Sequence, residues 1–171
     1  HEAFTRAFQQ RFEVSPKSFR KTPGQRLTRA RSTPGEIPED VEIRTLDAID
    51  VVYRRHIGSY SGVPSFWLET MSFDGVARLL ASGGQLCGLC PDDPDVTEEA
   101  KLRYDACITT TSAVEPGLGF IRGRIPAGTY AIATHRGSYA TLSETYLALI
   151  GCWIPTTSYR LINEPVVEFY V

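Results

Sequence analysis

The residue whose type and setting most suggest chemistry is a carboxylate inside an apolar strand. In Val166-Val167-Glu168-Phe169-Tyr170-Val171, period-two alternation puts Glu168 with Val166 and Tyr170 on one face, and Val167, Phe169 and Val171 on the other. A carboxylate framed by apolar and aromatic groups suits a lipophilic cation, because the ligand's charge offsets a buried charge that is otherwise costly. The plainer alternative is an exposed strand carboxylate. Six aromatics, Trp67, Phe73, Tyr104, Tyr146, Trp153 and Tyr170, offer the flat faces that bind aromatic or cationic molecules. Aromatics at helical spacing are more often core, so about half of them are expected to touch a ligand and the rest to pack.

Other candidates point away from metal or redox chemistry. His56 and His135 each sit beside a turn, where a histidine bonds to backbone more often than to metal, and no third histidine joins them. Cys87-Gly-Leu-Cys90 has the spacing of a redox pair or half a zinc site, but no second pair follows. Asp92, Asp93, Asp95, Glu98 and Glu99 lack the glycine and terminal glutamate of a calcium loop; Asp95 or Thr97 is expected to cap a short turn. No Ser-His-Asp arrangement, phosphate loop or dinucleotide fingerprint is visible. No metal and no cofactor are expected.

The elements that must carry these residues form an α+β pattern. Alternating strand candidates are Val41 to Arg44, Val51 to His56, Tyr104 to Thr110, Phe120 to Ile125, Tyr130 to His135 and Val166 to Val171. One helix is predicted over 64–81, with Trp67, Met71, Val76, Leu79 and Leu80 as its apolar set and Gly83-Gly84 as its stop. A second is predicted over 142–153, with Leu142, Tyr146, Leu149, Ile150 and Trp153 inward, a capping box from Thr141 and Glu144, and Pro155 as its stop. Residues 51–60 (VVYRRHIGSY) and 130–139 (YAIATHRGSY) share a His-x-Gly-Ser-Tyr turn. Strand, turn and aromatic-bearing helix recur, which predicts two pseudo-symmetric β-α-β-β repeats with an antiparallel sheet and a ligand cleft between the two helices.

With 171 residues, 42% hydrophobic and 22% charged, the chain has the make-up of a globular protein with one core and a small appendage. It holds neither a membrane-length apolar run nor a secretory h-region, so a cytoplasmic location with reduced cysteines is expected. The net charge of −2 hides an asymmetry: residues 1–35 sum to +6 and residues 36–171 to −8. A basic arm facing nucleic acid and a solvated basic linker both fit this pattern. Residues 1–21 predict two short helices around Val14-Ser15-Pro16, too small to fold alone. Residues 22–38, with three prolines and several arginines, predict a linker.

Two resemblances sharpen this. The run from Gly88-Leu-Cys-Pro-Asp-Asp-Pro-Asp to Arg103-Tyr-Asp-Ala-Cys107, the paired His-x-Gly-Ser-Tyr turns, Ile125-Pro-Ala-Gly-Thr-Tyr-Ala131, Trp153-Ile-Pro155 and Pro165 to Val171 resemble the GyrI-like family of effector-binding domains over roughly residues 40–171. That family often has Pro in place of Ser59 and Ser138. The resemblance implies a small-molecule pocket with a strand glutamate, matching Glu168, and puts Gly88 at a strand glycine, so that the two cysteines fall at a strand end by coincidence. It also implies a last strand beyond Val171. The run Ala3-Phe-Thr-Arg-Ala-Phe-Gln-Gln-Arg-Phe-Glu-Val-Ser-Pro16 resembles the end of an AraC-type DNA-binding domain, with Glu13 where that family usually has Gly. It implies that residues 1–21 are a remnant of a helix-turn-helix domain, with Thr5, Arg6 and Gln9 toward DNA.

The expected domains are therefore 1–21, a linker 22–38 and a ligand-binding domain 39–171. The expected function is sensing of a small hydrophobic molecule, neutral or cationic, for a transcriptional regulator. The expected partners are that effector and DNA, with a homodimer compatible and no membrane. The chain is not expected to be an enzyme. The alternatives are a hydrolase of reactive electrophiles, using Glu168 as general base, and a protein-binding inhibitor module.

Overall fold

A computed structural model describes residues 40–94, 96–110 and 119–171. The expected N-terminal helices, the linker, the DNA-facing Thr5, Arg6 and Gln9, and the Asp95 cap lie outside the described residues. The chain divides into two compact units: Thr45–Tyr130 with Ile162–Val171, and Ala131–Leu161 with the described residues up to Arg44.

The strands are β1 (Glu42–Leu46), β2 (Ile49–Ile57), β3 (Leu86–Cys90), β4 (Arg103–Thr109), β5 (Ile121–Ile125), β6 (Gly128–Ile132) and β7 (Val166–Phe169). A five-stranded sheet runs in the order β5-β2-β4-β3-β7, and β1 pairs with β6 in a two-stranded sheet. Each pairing of the larger sheet is antiparallel. Its centre is apolar on both faces. Val51, Cys87, Cys107 and Ile125 form one buried cluster, and Val52, Ile108, Val76 and Leu79 another. Adjacent residues Val51 and Val52 feed opposite clusters because strand side chains alternate. The fold is thus the mixed α+β class with antiparallel sheet that the periodicities imply.

Three local expectations are corrected. The helix predicted over 64–81 is two helices, α1 (Val63–Met71) and α2 (Asp74–Ala81). Phe73 is extended (ψ 129°) and turns its ring onto Phe120, at 5.6 Å and 89°. Met71, the last residue of α1, is 43% exposed rather than core. α2 has Asp74 in its first turn and Arg78 in its last, each favourable with the helix dipole. It stops where expected: Gly83 takes φ +91°, and the amides of Gly83 and Gly84 return to the carbonyls of Leu80 and Leu79, closing the helix end.

β3 was not among the alternating candidates, because Leu-Cys-Gly-Leu-Cys lacks β-branched residues and is covered on both faces. The second helix is also irregular. α3 (Leu142–Tyr146) continues as a π-helix over Leu147–Trp153, and a 3₁₀ turn containing Pro155 follows. Thr141 makes no capping box; its hydroxyl donates to the Ser138 carbonyl at 2.8 Å instead.

One ion pair ties the segment between β3 and β4 to the sheet, and another joins β2 to β4. The Arg103 guanidinium grips Asp92 at 2.7 and 2.8 Å, and Arg55 grips the buried Asp105 at 2.6 and 2.7 Å. Among the described residues, no helix is long and apolar enough to cross a membrane.

Candidate ligand-binding site

The register of the larger sheet assembles a row of polar groups under α1. Gly88 pairs with Glu168 on one side and Ala106 on the other. Cys90, Gly88, Glu168, Tyr170 and Tyr104 therefore share the face that α1 covers. Tyr104 leans from β4 across β3, and only a glycine permits this. A Cβ built on Gly88 would lie 2.3 Å from the Tyr104 hydroxyl oxygen.

The side chains on this face are linked in series. The Trp67 Nε1–H on α1 donates to the Tyr104 hydroxyl at 2.9 Å. The Tyr104 and Tyr170 hydroxyls share a hydrogen bond of 2.5 Å. The Tyr170 hydroxyl donates to Glu168 Oε2 at 2.6 Å, and the Cys90 thiol donates to Glu168 Oε1 at 3.6 Å. The Trp67 and Tyr170 rings meet edge-to-face at 5.8 Å. Tyr104 is 2% exposed, whereas Trp67, Cys90, Glu168 and Tyr170 are half-buried. Burial pushes both phenols above their ordinary range; for Tyr170 the adjacent Tyr104 and Glu168 add to this. Both rings therefore act as neutral hydroxyls around neutral pH.

Tyr60 braces the rim. Its hydroxyl donates to the Asp92 carbonyl at 2.8 Å, with the Arg103 carbonyl 3.2 Å away as a second, weaker acceptor for the same proton, and its ring meets Tyr104 edge-on at 6.5 Å. Burial pushes this phenol up as well.

Of the seven expected ligand residues, Trp67, Tyr104, Glu168 and Tyr170 come together here. Phe73 sits elsewhere on the same face, against Phe120 and under the Arg54 guanidinium at 4.3 Å. Tyr146 and Trp153 belong to the other unit, where the Trp153 ring stacks on Tyr159 at 6.5 Å and 15°. Cys90 and Gly88 join the row, although the motif reading gave them no ligand role. The CxxC spacing drew attention to Cys90 for the wrong reason. Residues three apart on a strand point to opposite faces, so Cys87 enters the core while Cys90 faces Glu168. Among the described residues no cluster of three or more His, Cys, Asp or Glu could hold a metal ion.

An antiparallel α+β domain with a carboxylate and aromatic hydroxyls on its helix-covered face offers groups suited to binding a small molecule. Residues 39–171 match the model of the GyrI-like small molecule binding domain, and the chain belongs to that family. The Escherichia coli K12 protein described as probable transcriptional regulator YgiV is 28% identical over 87 residues, covering 50% of this chain. The chain thus spans about half of that relative, 54% of its length.

Two solved proteins share the fold. The crystal structure of the EcmrR C-terminal domain superposes with a TM-score of 0.60 at 17% identity, covering 77% of this chain and 84% of that one. The cryo-EM structure of an EcmrR–DNA complex gives 0.60 at 18%, covering 91% and 60%. SAV2435 bound to tetraphenylphosphonium gives 0.51 at 11%, covering 76% and 91%.

Proposed function

We propose that this chain is the effector-sensing part of a bacterial transcriptional regulator, and that it takes a hydrophobic, preferably cationic molecule on the face lined by Trp67, Tyr104, Glu168 and Tyr170. The observation that carries the reading is the linked row itself: a carboxylate set among aromatic rings in a domain of a small-molecule-binding family. The rings supply apolar and cation–π contact, and Glu168 supplies the counter-charge. Binding can bias a regulator only through a difference in affinity between its two states. In this reading residues 1–21 belong to an AraC-type helix-turn-helix domain, with Thr5, Arg6 and Gln9 toward DNA, and 22–38 is the linker that transmits the bias.

The test is thermal denaturation of the chain with tetraphenylphosphonium and, separately, a neutral aromatic of similar size. A ligand in large excess over its Kd adds ~2–4 kcal/mol of apparent stability. The expected result is a raised melting temperature with the cation that disappears in Glu168→Gln. An unchanged melting temperature in the wild-type chain rejects the cation reading.

A hydrolase reading is favoured by one feature, the Tyr170 hydroxyl aimed at Glu168 as an acid–base pair. Turnover would destroy the molecule being sensed, so the sensor reading takes precedence in a chain whose relatives are regulators.

A further inference from the structure

We propose that the second His-x-Gly-Ser-Tyr turn carries a separate binding site, a polar cavity beside His135 that takes a free amino acid by its ammonium and carboxylate groups. The inference does not rest on the reading of the face between Trp67 and Glu168.

The cavity exists because the two copies differ where the first is filled. Aligning His56 with His135 also aligns the first residues of α1 and α3, Val63 and Leu142, and sets Phe66 against Thr145. In the first copy the Phe66 ring packs on His56 at 5.4 Å. A Cβ built on Gly62 would lie 3.0 Å from His56 Cε1, so little space remains around that imidazole. In the second copy a threonine stands in place of the ring and Thr141 in place of Gly62. A cavity of about 370 Å³ opens beside His135, a volume within the range of small-molecule sites.

The lining changes character along with the ring. Where the first copy has Ile57 and Ser65, the cavity wall has Arg136 and Glu144. His135 and Thr145 are half-buried, while Asp40, Arg136, Thr141 and Glu144 stand exposed around them. Both imidazole nitrogens are engaged. Nε2 donates to the Ser138 carbonyl at 3.0 Å, so in the neutral ring Nδ1 accepts from the Thr145 hydroxyl at 2.8 Å. The Thr141 hydroxyl also donates to the Ser138 carbonyl, at 2.8 Å.

Each of these threonines thus directs its single hydroxyl proton to a protein acceptor and keeps its lone pairs for the cavity. Together with the carboxylates of Glu144 and Asp40 they suit an ammonium group, which has three donors and no acceptor. Arg136 is the cation of the lining, and its planar fork matches a carboxylate. Among the described residues, neither Arg136 nor Glu144 has a side-chain hydrogen bond or ion pair. The lining has both signs of charge and no aromatic ring besides the imidazole. It therefore favours a zwitterion over a lipophilic cation.

The test titrates the full chain with the protein L-amino acids, one at a time at millimolar concentration, and follows the imidazole proton resonances by NMR. His56 is the internal control. The expected result is that at least one amino acid moves the His135 signals saturably and leaves those of His56 in place. Butylamine and butyrate, which carry one charge each, should bind at least about 10-fold more weakly, the factor that a lost charge-assisted hydrogen bond implies. Thr145→Phe, which restores the ring of the first copy, should abolish the response, and Arg136→Gln should weaken it by roughly 10-fold or more.

No saturable response at His135 with any amino acid, or equal responses at both histidines, would overturn the proposal. So would butylamine binding as tightly as the best amino acid. If Thr145→Phe does not fold, the exposed Arg136→Gln decides, and undiminished binding there overturns the assignment. In a folded Thr145→Phe chain the melting shift with tetraphenylphosphonium should persist; its loss together with the amino-acid response would mean one site rather than two.

Discussion

The two His-x-Gly-Ser-Tyr turns, 56–60 and 135–139, fold alike and are used differently. In both, histidine Nε2 lies 3.0 Å from the carbonyl of the serine three residues on. The glycines take φ +129° and +128°. The serine side chains accept from the amides of Ser61 and Ala140, and a 3₁₀ turn follows each. Beyond that the copies diverge. His56 packs on Phe66 at 5.4 Å, whereas His135 Nδ1 meets the Thr145 hydroxyl at 2.8 Å. Tyr60 reaches the backbone carbonyls of Asp92, between β3 and β4, and of Arg103, at the start of β4, whereas Tyr139 is 69% exposed. The first turn leads into the regular α1, the second into a five-residue helix that becomes a π-helix. Five residues therefore suffice for a turn, while the role of its tyrosine is set by what lies across from it.

Four perturbations sharpen this contrast. The largest effect should come from Gly88→Ala, which has no counterpart at the second turn. The new methyl would collide with the Tyr104 hydroxyl, and overpacking of this kind costs ~1–3 kcal/mol or more. Urea denaturation should show the loss, and the row from Trp67 to Glu168 should lose ligand binding with it. Next come Gly58→Ala and Gly137→Ala. Both force a side chain into a positive-φ region worth ~1–3 kcal/mol of strain, so the two losses should match within error; a marked inequality would show that the turns are not locally equivalent.

Tyr60→Phe and Tyr139→Phe should then separate the copies. The first removes the one hydroxyl donor facing the Asp92 and Arg103 carbonyls and should cost ~1–2 kcal/mol, whereas the second should stay within ~0.5 kcal/mol, as exposed substitutions usually do. The smallest effect is acid loosening of the Tyr60-braced segment. The Arg103 hydrogen bond holds the Asp92 carboxyl below its ordinary range. Its stabilising contribution is therefore full above the unfolded pKa and is lost as pH falls through the lower folded value. Amide exchange in 91–102 should quicken below about pH 4, and Asp92→Asn should abolish that pH dependence.

At high pH the sign reverses. The phenols of Tyr104 and Tyr170 are raised, so their contribution is full below about pH 10 and is lost above it as the unfolded chain ionises first. A fall in melting temperature above pH 10, with ultraviolet tyrosinate absorbance lagging in the native chain, checks this.

How far the chain was legible in advance follows from the range of the interactions involved. Turns are local. The positive-φ glycines, the stop at Gly83-Gly84 and the alternation that groups Glu168 with Tyr170 depend on residues a few positions apart, and the sequence by itself determined them. So did the α+β pattern, because strand and helix periods are properties of short windows. The break at Ser72-Phe73 was not legible. Phe73 there packs on Phe120, a partner far along the chain. β3 escaped the periodicity, since a strand covered on both faces shows no alternation, and only the family resemblance put Gly88 on a strand. The site depends on the longest-range fact of all, the register that sets Gly88 between Ala106 and Glu168. A one-residue slip would turn Cys90 and Glu168 to opposite faces. Tertiary structure alone decided that a thiol, a carboxylate, two phenols and an indole, spread from Trp67 to Tyr170, would meet in one hydrogen-bonded line, because only strand pairing carries positional information across that distance.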